Sequence, residues 1–185
     1  MDASNVSYAK PKVGGSIYRA PIGTALPTDA KKALDAAFVS LGYASEDGVT
    51  NSEARTGETV KAWGGAVVLV TQNGKVDTFK FKLIEAMNPE VLKTVYGDKN
   101  VTGDLSTGIT VKVNENDGDA YAYVVDMILK GGVLKRLVIP DAIITSISEI
   151  TYKDNSAIGY EITLTAEPDS DRNTHYEYIA KGTAE

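Results

Sequence analysis

Tyr121-Ala-Tyr-Val-Val-Asp-Met-Ile-Leu-Lys130, then Gly131-Gly132, then Val133-Leu-Lys-Arg-Leu-Val-Ile-Pro140 is the stretch that decides the fold. β-branched and aromatic residues dominate both runs, and such side chains suit a pleated, half-buried surface. The glycine pair between them is a two-residue hairpin signal, because hairpin turns need positive φ. Residues 143–152, a polar turn at Asp154-Asn155, and residues 160–167 continue the pattern, predicting four consecutive strands. Residues 121–129 and 133–139 are apolar on nearly both faces, so both faces are expected to be covered. In a chain of 185 residues the second cover is open to another subunit. In 160–167, by contrast, Tyr160, Ile162 and Leu164 face one way and Glu161, Thr163 and Thr165 the other.

Outward from this block the chain reads as further strands and two short helices. Residues 1–15, with Pro11 and Gly14-Gly15, predict an N-terminal arm. Residues 17–22 predict a short strand. Residues 28–41 predict a helix: Thr28 caps it, Asp29 favours its positive end, and Ala30, Leu34, Ala37, Phe38 and Leu41 fall on one face. Residues 43–65 are long and polar and carry the only tryptophan, Trp63, beside Gly64-Gly65. This segment predicts a long hairpin or loop projecting from the body, with residues 43–62 disordered in the free subunit and ordered on assembly. Residues 67–70 and 78–84 predict a strand pair turning at Asn73-Gly74, with Phe79, Phe81 and Leu83 inward and Lys80 and Lys82 outward. Asn88, Pro89 and Gly97 delimit a second helix. Ile109, Val111 and Val113 predict a strand, and residues 114–119 an acidic turn. Residues 169–185 read as a C-terminal arm whose removal harms polymerisation more than folding.

Composition narrows function. The net charge is −6 and the pI about 4.9, which argues against a protein that grips nucleic acid through phosphates. No cysteine is present, so disulfides and thiolate metal sites are excluded, in keeping with cytosolic synthesis. No apolar run is long enough for a membrane-spanning helix, and no signal-peptide pattern opens the chain. His175 is the single histidine and sits in the polar tail; without a second histidine or a cysteine it predicts a surface or interface side chain, not a catalytic base or zinc ligand. Asp169-Ser170-Asp171-Arg172-Asn173 begins like a calcium loop, but Thr174 replaces the expected glycine and Ala180 the late glutamate, leaving an exposed turn. Trp63 reads as a protein-contact anchor in preference to a ligand-stacking ring. Lys135-Arg136 reads as ion-paired with neighbouring carboxylates. No phosphate loop or dinucleotide fingerprint occurs. No cofactor and no catalytic or metal-binding residue is therefore expected.

A resemblance runs through most of the chain. It is carried by Thr28-Asp29-Ala30, Leu34-Asp35-Ala36-Ala37-Phe38 and Leu41-Gly42-Tyr43-Ala44-Ser45-Glu46-Asp47-Gly48. It continues through Thr78-Phe79-Lys80-Phe81, Glu85-Ala86, Val95-Tyr96-Gly97, Val125-Asp126-Met127, Lys135-Arg136, Ile139-Pro140 and Pro168-Asp169-Ser170. This ordered set resembles the major tail tube proteins of bacteriophages with long, non-contractile, siphovirus-type tails. The resemblance implies a mainly β fold with short helices, a β-sandwich or partial barrel of the tail-tube type, with residues 1–185 as one domain. It implies hexameric rings that stack into a tube, and sheets that join between subunits to line the lumen through which DNA leaves the capsid. It implies a virion location, no enzymatic activity, and contacts with tape-measure, tail terminator and distal tail proteins. Double-stranded DNA would pass without specific binding, and no membrane is involved. On this reading Ser45, Glu46, Asp47, Trp63, His175 and Tyr176 are candidate contacts between subunits or rings, and Asp126 and Glu161 candidate lumen carboxylates. The alternatives are a monomeric carbohydrate-binding β-sandwich, with exposed aromatics clustered on one face, an enzyme, and a related tube protein of a tail terminator, bacteriocin or secretion system.

Overall fold

In the computed structural model, which describes residues 1–115 and 118–182, the chain runs through eleven strands and one α-helix. In chain order these are β1 (Ala9–Pro11), β2 (Ile17–Pro21), β3 (Val39–Ser40), β4 (Ala44–Lys61), β5 (Val67–Leu83), α1 (Pro89–Tyr96), β6 (Val101–Thr102), β7 (Thr110–Val111), β8 (Tyr121–Leu129), β9 (Val133–Ile147), β10 (Tyr160–Ala166) and β11 (Tyr176–Lys181). β6 and β7 pair with each other. All other strands join one antiparallel sheet whose spine is β3-β2-β8-β9-β10-β5-β4, with β1 on β8 and β11 on β9.

The β8–β9 hairpin forms where the glycine pair predicts it: Gly131 and Gly132 adopt φ of 73° and 74°. β9 does not stop at Pro140, however, but continues to Ile147. Proline lacks the N–H a ladder requires, and it is tolerated here because the register with β8 slips between Tyr121↔Ala142 and Tyr123↔Ile139. At this bulge β9 changes neighbours. Its first half, Val133 to Val138, pairs with β11; its second, from Ala142 on, pairs with β10. The predicted four-strand block is thus three strands, one of them shared between the two wings of the sheet.

Side-chain alternation builds a core on each side of β8. Tyr121, Tyr123 and Val125 join Leu137 and Ile139 of β9, Phe79, Phe81 and Leu83 of β5, Ile162 and Leu164 of β10, and Val91, Leu92 and Val95 of α1. Each large apolar side chain so buried contributes about 1.5–3 kcal/mol. The helix is held by its predicted caps: the Asn88 side chain accepts from the Glu90 N–H at 2.9 Å, and Gly97 N–H donates to the Lys93 carbonyl at 2.8 Å. Arg19, buried on β2, reaches Glu90 at 3.3 Å and Asp98 at 2.7 Å, tying the helix end to the sheet. Ala122, Val124 and Val138 point the other way, onto Ala20, Phe38, Leu26 and Leu34, with Tyr176 and Tyr178 alongside. Both faces are covered, as expected, but the second cover is this chain's own.

That cover corrects the predicted first helix. Residues 28–38 form a non-helical strap. Asp29 Oδ1 accepts from the N–H groups of Lys31 and Lys32, both at 2.7 Å, and Asp35 Oδ1 from that of Ala37 at 2.9 Å. Such local bonds compete with a helical ladder. The carbonyls of Asp29 and Lys32, which a helix would use internally, accept instead from Arg136 Nη1 at 3.0 and 2.9 Å.

The strand pair at Asn73-Gly74 is corrected too. β5 runs unbroken through both residues and pairs with β4 over almost its whole length. The turn lies at residues 62–66, where Gly64 and Gly65 take φ of 109° and 93° and Ala62 N–H donates to the Ala66 carbonyl at 2.8 Å. Residues 1–15 contribute β1, and residues 176–181 are part of the sheet. The predicted strand at 109–113 shrinks to Thr110–Val111. Asn116 and Asp117 of the acidic turn, and 183–185 of the C-terminal segment, lie outside the described residues.

Candidate assembly surface

β10 supports β5 only from Asp77 to Leu83. Beyond Asp77, residues 54–76 form a two-stranded ribbon with, among the described residues, no other strand on either edge. Threonine and valine favour the extended backbone, so the ribbon is locally well specified. Among the described residues nothing covers it: Val60, Val67, Val68, Leu69, Val70 and Val76 are all exposed, and Trp63 at the tip is wholly so. An isolated two-stranded ribbon is marginal in water, and open edges with apolar faces are sites for pairing with another chain. The ribbon carries Arg55, Lys61 and Lys75 against Glu58, a net +2 on a chain of net −6, which leaves −8 on the remainder.

At the ribbon's root the register jumps from Ala44↔Leu83 to Val49↔Phe81, so residues 45–48 bulge from the edge. Ser45 Oγ bridges within the bulge to Asp47 Oδ2 at 2.8 Å, and Glu46 points to solvent. The bulge faces the N-terminal segment across a cavity of about 900 Å³.

His175 lies at the other side of the root. It is not a simple surface side chain, because its Nδ1 lies 2.6 Å from Oδ2 of Asp77, which is fully buried, and its ring packs edge-on against Phe79. Asp77 also accepts from Asn51 Nδ2 at 2.6 Å and Thr174 Oγ1 at 2.7 Å. The contact clasps the start of β11 to the root of the ribbon. Glu53, Asp77 and His175 bring ligand-type atoms within 4.8 Å of one another. Yet Asp77 already accepts from Asn51 and Thr174 and lies against His175 Nδ1, and Glu53 pairs with Lys75 at 3.2 Å and Arg55 at 3.6 Å. The donor set is that of a hydrogen-bonded clasp.

Tyr176 stacks on Tyr178 and donates to Asp169 Oδ2 at 2.5 Å, a bond that raises the phenol's pKa and lowers the carboxyl's. Asp169 Oδ1 also accepts from the N–H groups of Asp171 and Asn173, both at 2.9 Å, so the calcium-like turn is held by its own backbone.

The two carboxylates singled out for a lumen differ. Asp126 is buried and bound twice by Arg136, from Nε at 2.6 Å and Nη2 at 2.9 Å, with Lys12 at 3.5 Å. It offers no charge to solvent in this subunit. Glu161 is half-exposed; hydrogen bonds from Lys80 Nζ and Ser148 Oγ, both at 2.6 Å, hold its carboxyl below the usual range. The ion pairs expected of Lys135-Arg136 are present, with Lys135 on Glu177 at 2.8 Å and Arg136 on Asp126.

Sequence reasoning placed a projecting hairpin or loop at 43–65 but missed that residues 67–76 form its second arm and that its turn lies at 62–66. The signal for that turn was Gly64-Gly65 between two β-branched runs, the same pattern that located the β8–β9 turn. Among the described residues no helix is long and apolar enough to cross a membrane. Comparison with curated proteins finds no match. A family model described as phage tail tube protein matches residues 4–185, and with nearly its whole length and its antiparallel β fold in agreement the chain belongs to the phage tail tube protein family.

Proposed function

We propose that residues 1–185 form one tail-tube domain, a non-enzymatic subunit whose copies join edge to edge into six-membered rings. The rings stack into the tube of a siphovirus-type tail. The observation that carries this reading is the ribbon at 54–76, which has open edges, apolar faces and nothing among the described residues to cover them. Neighbouring copies would cover it, and stacked head-to-tail contacts do not close on themselves, so they extend a filament. The net charge of −6 supports passage of DNA without adhesion to the wall. Synthesis in the host cytoplasm, residence in the virion, and contacts with tape-measure, terminator and distal tail proteins follow from the same reading. A carbohydrate-binding module has less support, since Tyr8, Tyr43, Trp63 and Tyr152, the exposed large aromatics, are spread over the N-terminal segment, the ribbon root, the ribbon tip and the loop before β10.

Negative-stain microscopy across a concentration series, paired with solution mass, tests it. Rings and tubes are expected. A protein that stays monomeric at its solubility limit, and is not taken up when seeded with tube fragments of the same protein from phage tails, overturns it.

A further inference from the structure

Among the described residues Trp63 has no partner, and none of them fills the cavity at the ribbon root. The cavity's floor is apolar, with Ile17, Val125 and Met127; its rim carries Tyr43, Glu46 and Asp47 on the bulge side and Lys10 and Lys12 on the N-terminal side. Its volume of about 900 Å³ lies in the range of clefts that enclose groups larger than an indole. The tip bears the complementary character: a large aromatic to fill an apolar floor, and Lys61, which makes no ion pair among the described residues, to face Glu46 and Asp47 on the bulge side of the rim. The cation-rich ribbon, net +2, and the remaining body, net −8, show the same complementarity on a larger scale.

Trp63 cannot reach the cavity of its own chain, because the ribbon lies between them. From Val49 to Lys61 the strand advances twelve residues, which at 3.4 Å each is about 40 Å. A second copy displaced by about that length along the ribbon would bring its root cavity to the tip. Resting on the assembly reading above, we propose that Trp63 of one copy seats in the cavity between residues 9–17 and 44–49 of the next copy. Knob and socket are different patches of one chain, so each docking leaves a free knob and a free socket, and the contact propagates. Aromatic anchors seated in desolvated pockets dominate many interfaces, which gives this single contact leverage over assembly.

The chain is suited to a direct test, since Trp63 is its only tryptophan and it has no cysteine. Tryptophan emission is recorded during assembly of the full chain. In parallel, the variant A62C/E46C is assembled and treated with a short thiol-to-thiol crosslinker, with A62C/D154C as control. Expected are a blue shift on assembly, a ladder of crosslinked multimers for A62C/E46C and none for the control. W63A should raise the critical concentration at least about tenfold, equivalent to about 1.4 kcal/mol per contact, with its circular dichroism unchanged. Assembly with unshifted emission, or without the 62–46 crosslink, overturns the socket while leaving the tube reading intact. A blue shift on adding DNA to the unassembled chain assigns Trp63 to nucleic acid and also overturns it. Failure of the wild-type chain to assemble even when seeded with tube fragments overturns both.

Discussion

Replacing Arg136 by methionine isolates the contact on which the non-helical strap depends. Arg136 is buried and makes four hydrogen bonds: two to Asp126 and one each to the carbonyls of Asp29 and Lys32. Methionine replaces much of the side chain's volume but none of those bonds. The Asp126 carboxylate is then buried without its bidentate partner, and two strap carbonyls lose theirs. Removing one member of a buried pair costs about 3–5 kcal/mol. Lys12 remains 3.5 Å from Asp126, which favours the lower end. For a chain of this size the loss corresponds to a fall in Tm of roughly 6–20 °C. Thermal and urea denaturation of the unassembled chain read the magnitude, and amide exchange over residues 29–38 reads the location. D126L/R136M removes both charges and should recover most of the loss, because the penalty lies in the uncompensated carboxylate. A loss below about 1 kcal/mol for R136M, or a double variant no better than the single, would refute this account of the strap.

Asp77→Ala leaves Asn51, Thr174 and His175 without their shared acceptor and should cost about 2–4 kcal/mol by urea denaturation; a change within about 0.5 kcal/mol, the range of ordinary surface substitutions, would count against the clasp. Truncation after Glu167 removes β11 and bares the paired edge of β9, so it should unfold the subunit rather than only block polymerisation; a truncated chain that keeps the parent's Tm would contradict the pairing of Tyr176–Lys181 with Val133–Val138. V68K/V70K places two cations on the exposed ribbon and should leave Tm nearly unchanged while abolishing tubes; normal tubes would show that this part of the ribbon is not covered on assembly. Asp104 accepts from Ser106 and Thr107, which lowers its carboxyl from 3.8 to about 2. A depressed folded value contributes order fully above the unfolded value of 3.8 and loses it as pH falls through about 2, so the turn at 104–107 should loosen between those limits. Carboxyl resonances titrating near 3.8 would contradict it.

What the sequence disclosed was set by local signals. α1 was legible because its caps are encoded by Asn88, Pro89 and Gly97, and the inward face of β5 because Phe79, Phe81 and Leu83 alternate with lysines. Residues 28–41 misled because helical periodicity also suits a strap that lays Leu34 and Phe38 on a sheet; Arg136, over a hundred positions later, decides between them. His175 read as a tail residue because Asp77 lies 98 positions away. Pro140 read as a strand end because proline removes a ladder donor, and only the bulge against β8 makes it harmless. The root cavity was not legible at all, since it joins two segments that pair with different strands.

The long ribbon also imposes an order in time. Its two strands are adjacent in sequence, and a hairpin forms in microseconds once its residues are available. β2 must wait for β8, about a hundred residues later, and β5 must wait for β10. At a synthesis rate of about 5–20 residues per second, the 83 residues from 84 to 166, the end of β10, take roughly 4–17 seconds. Throughout that interval the nascent chain displays a formed, sticky ribbon with no body behind it. Arg55, Glu58, Lys61 and Lys75 interrupt its apolar surface at intervals, and charges so placed deter premature pairing between neighbouring chains on one message. The residues that keep the ribbon from being uniformly apolar thus protect the chain during the seconds before the body can compete for its partners.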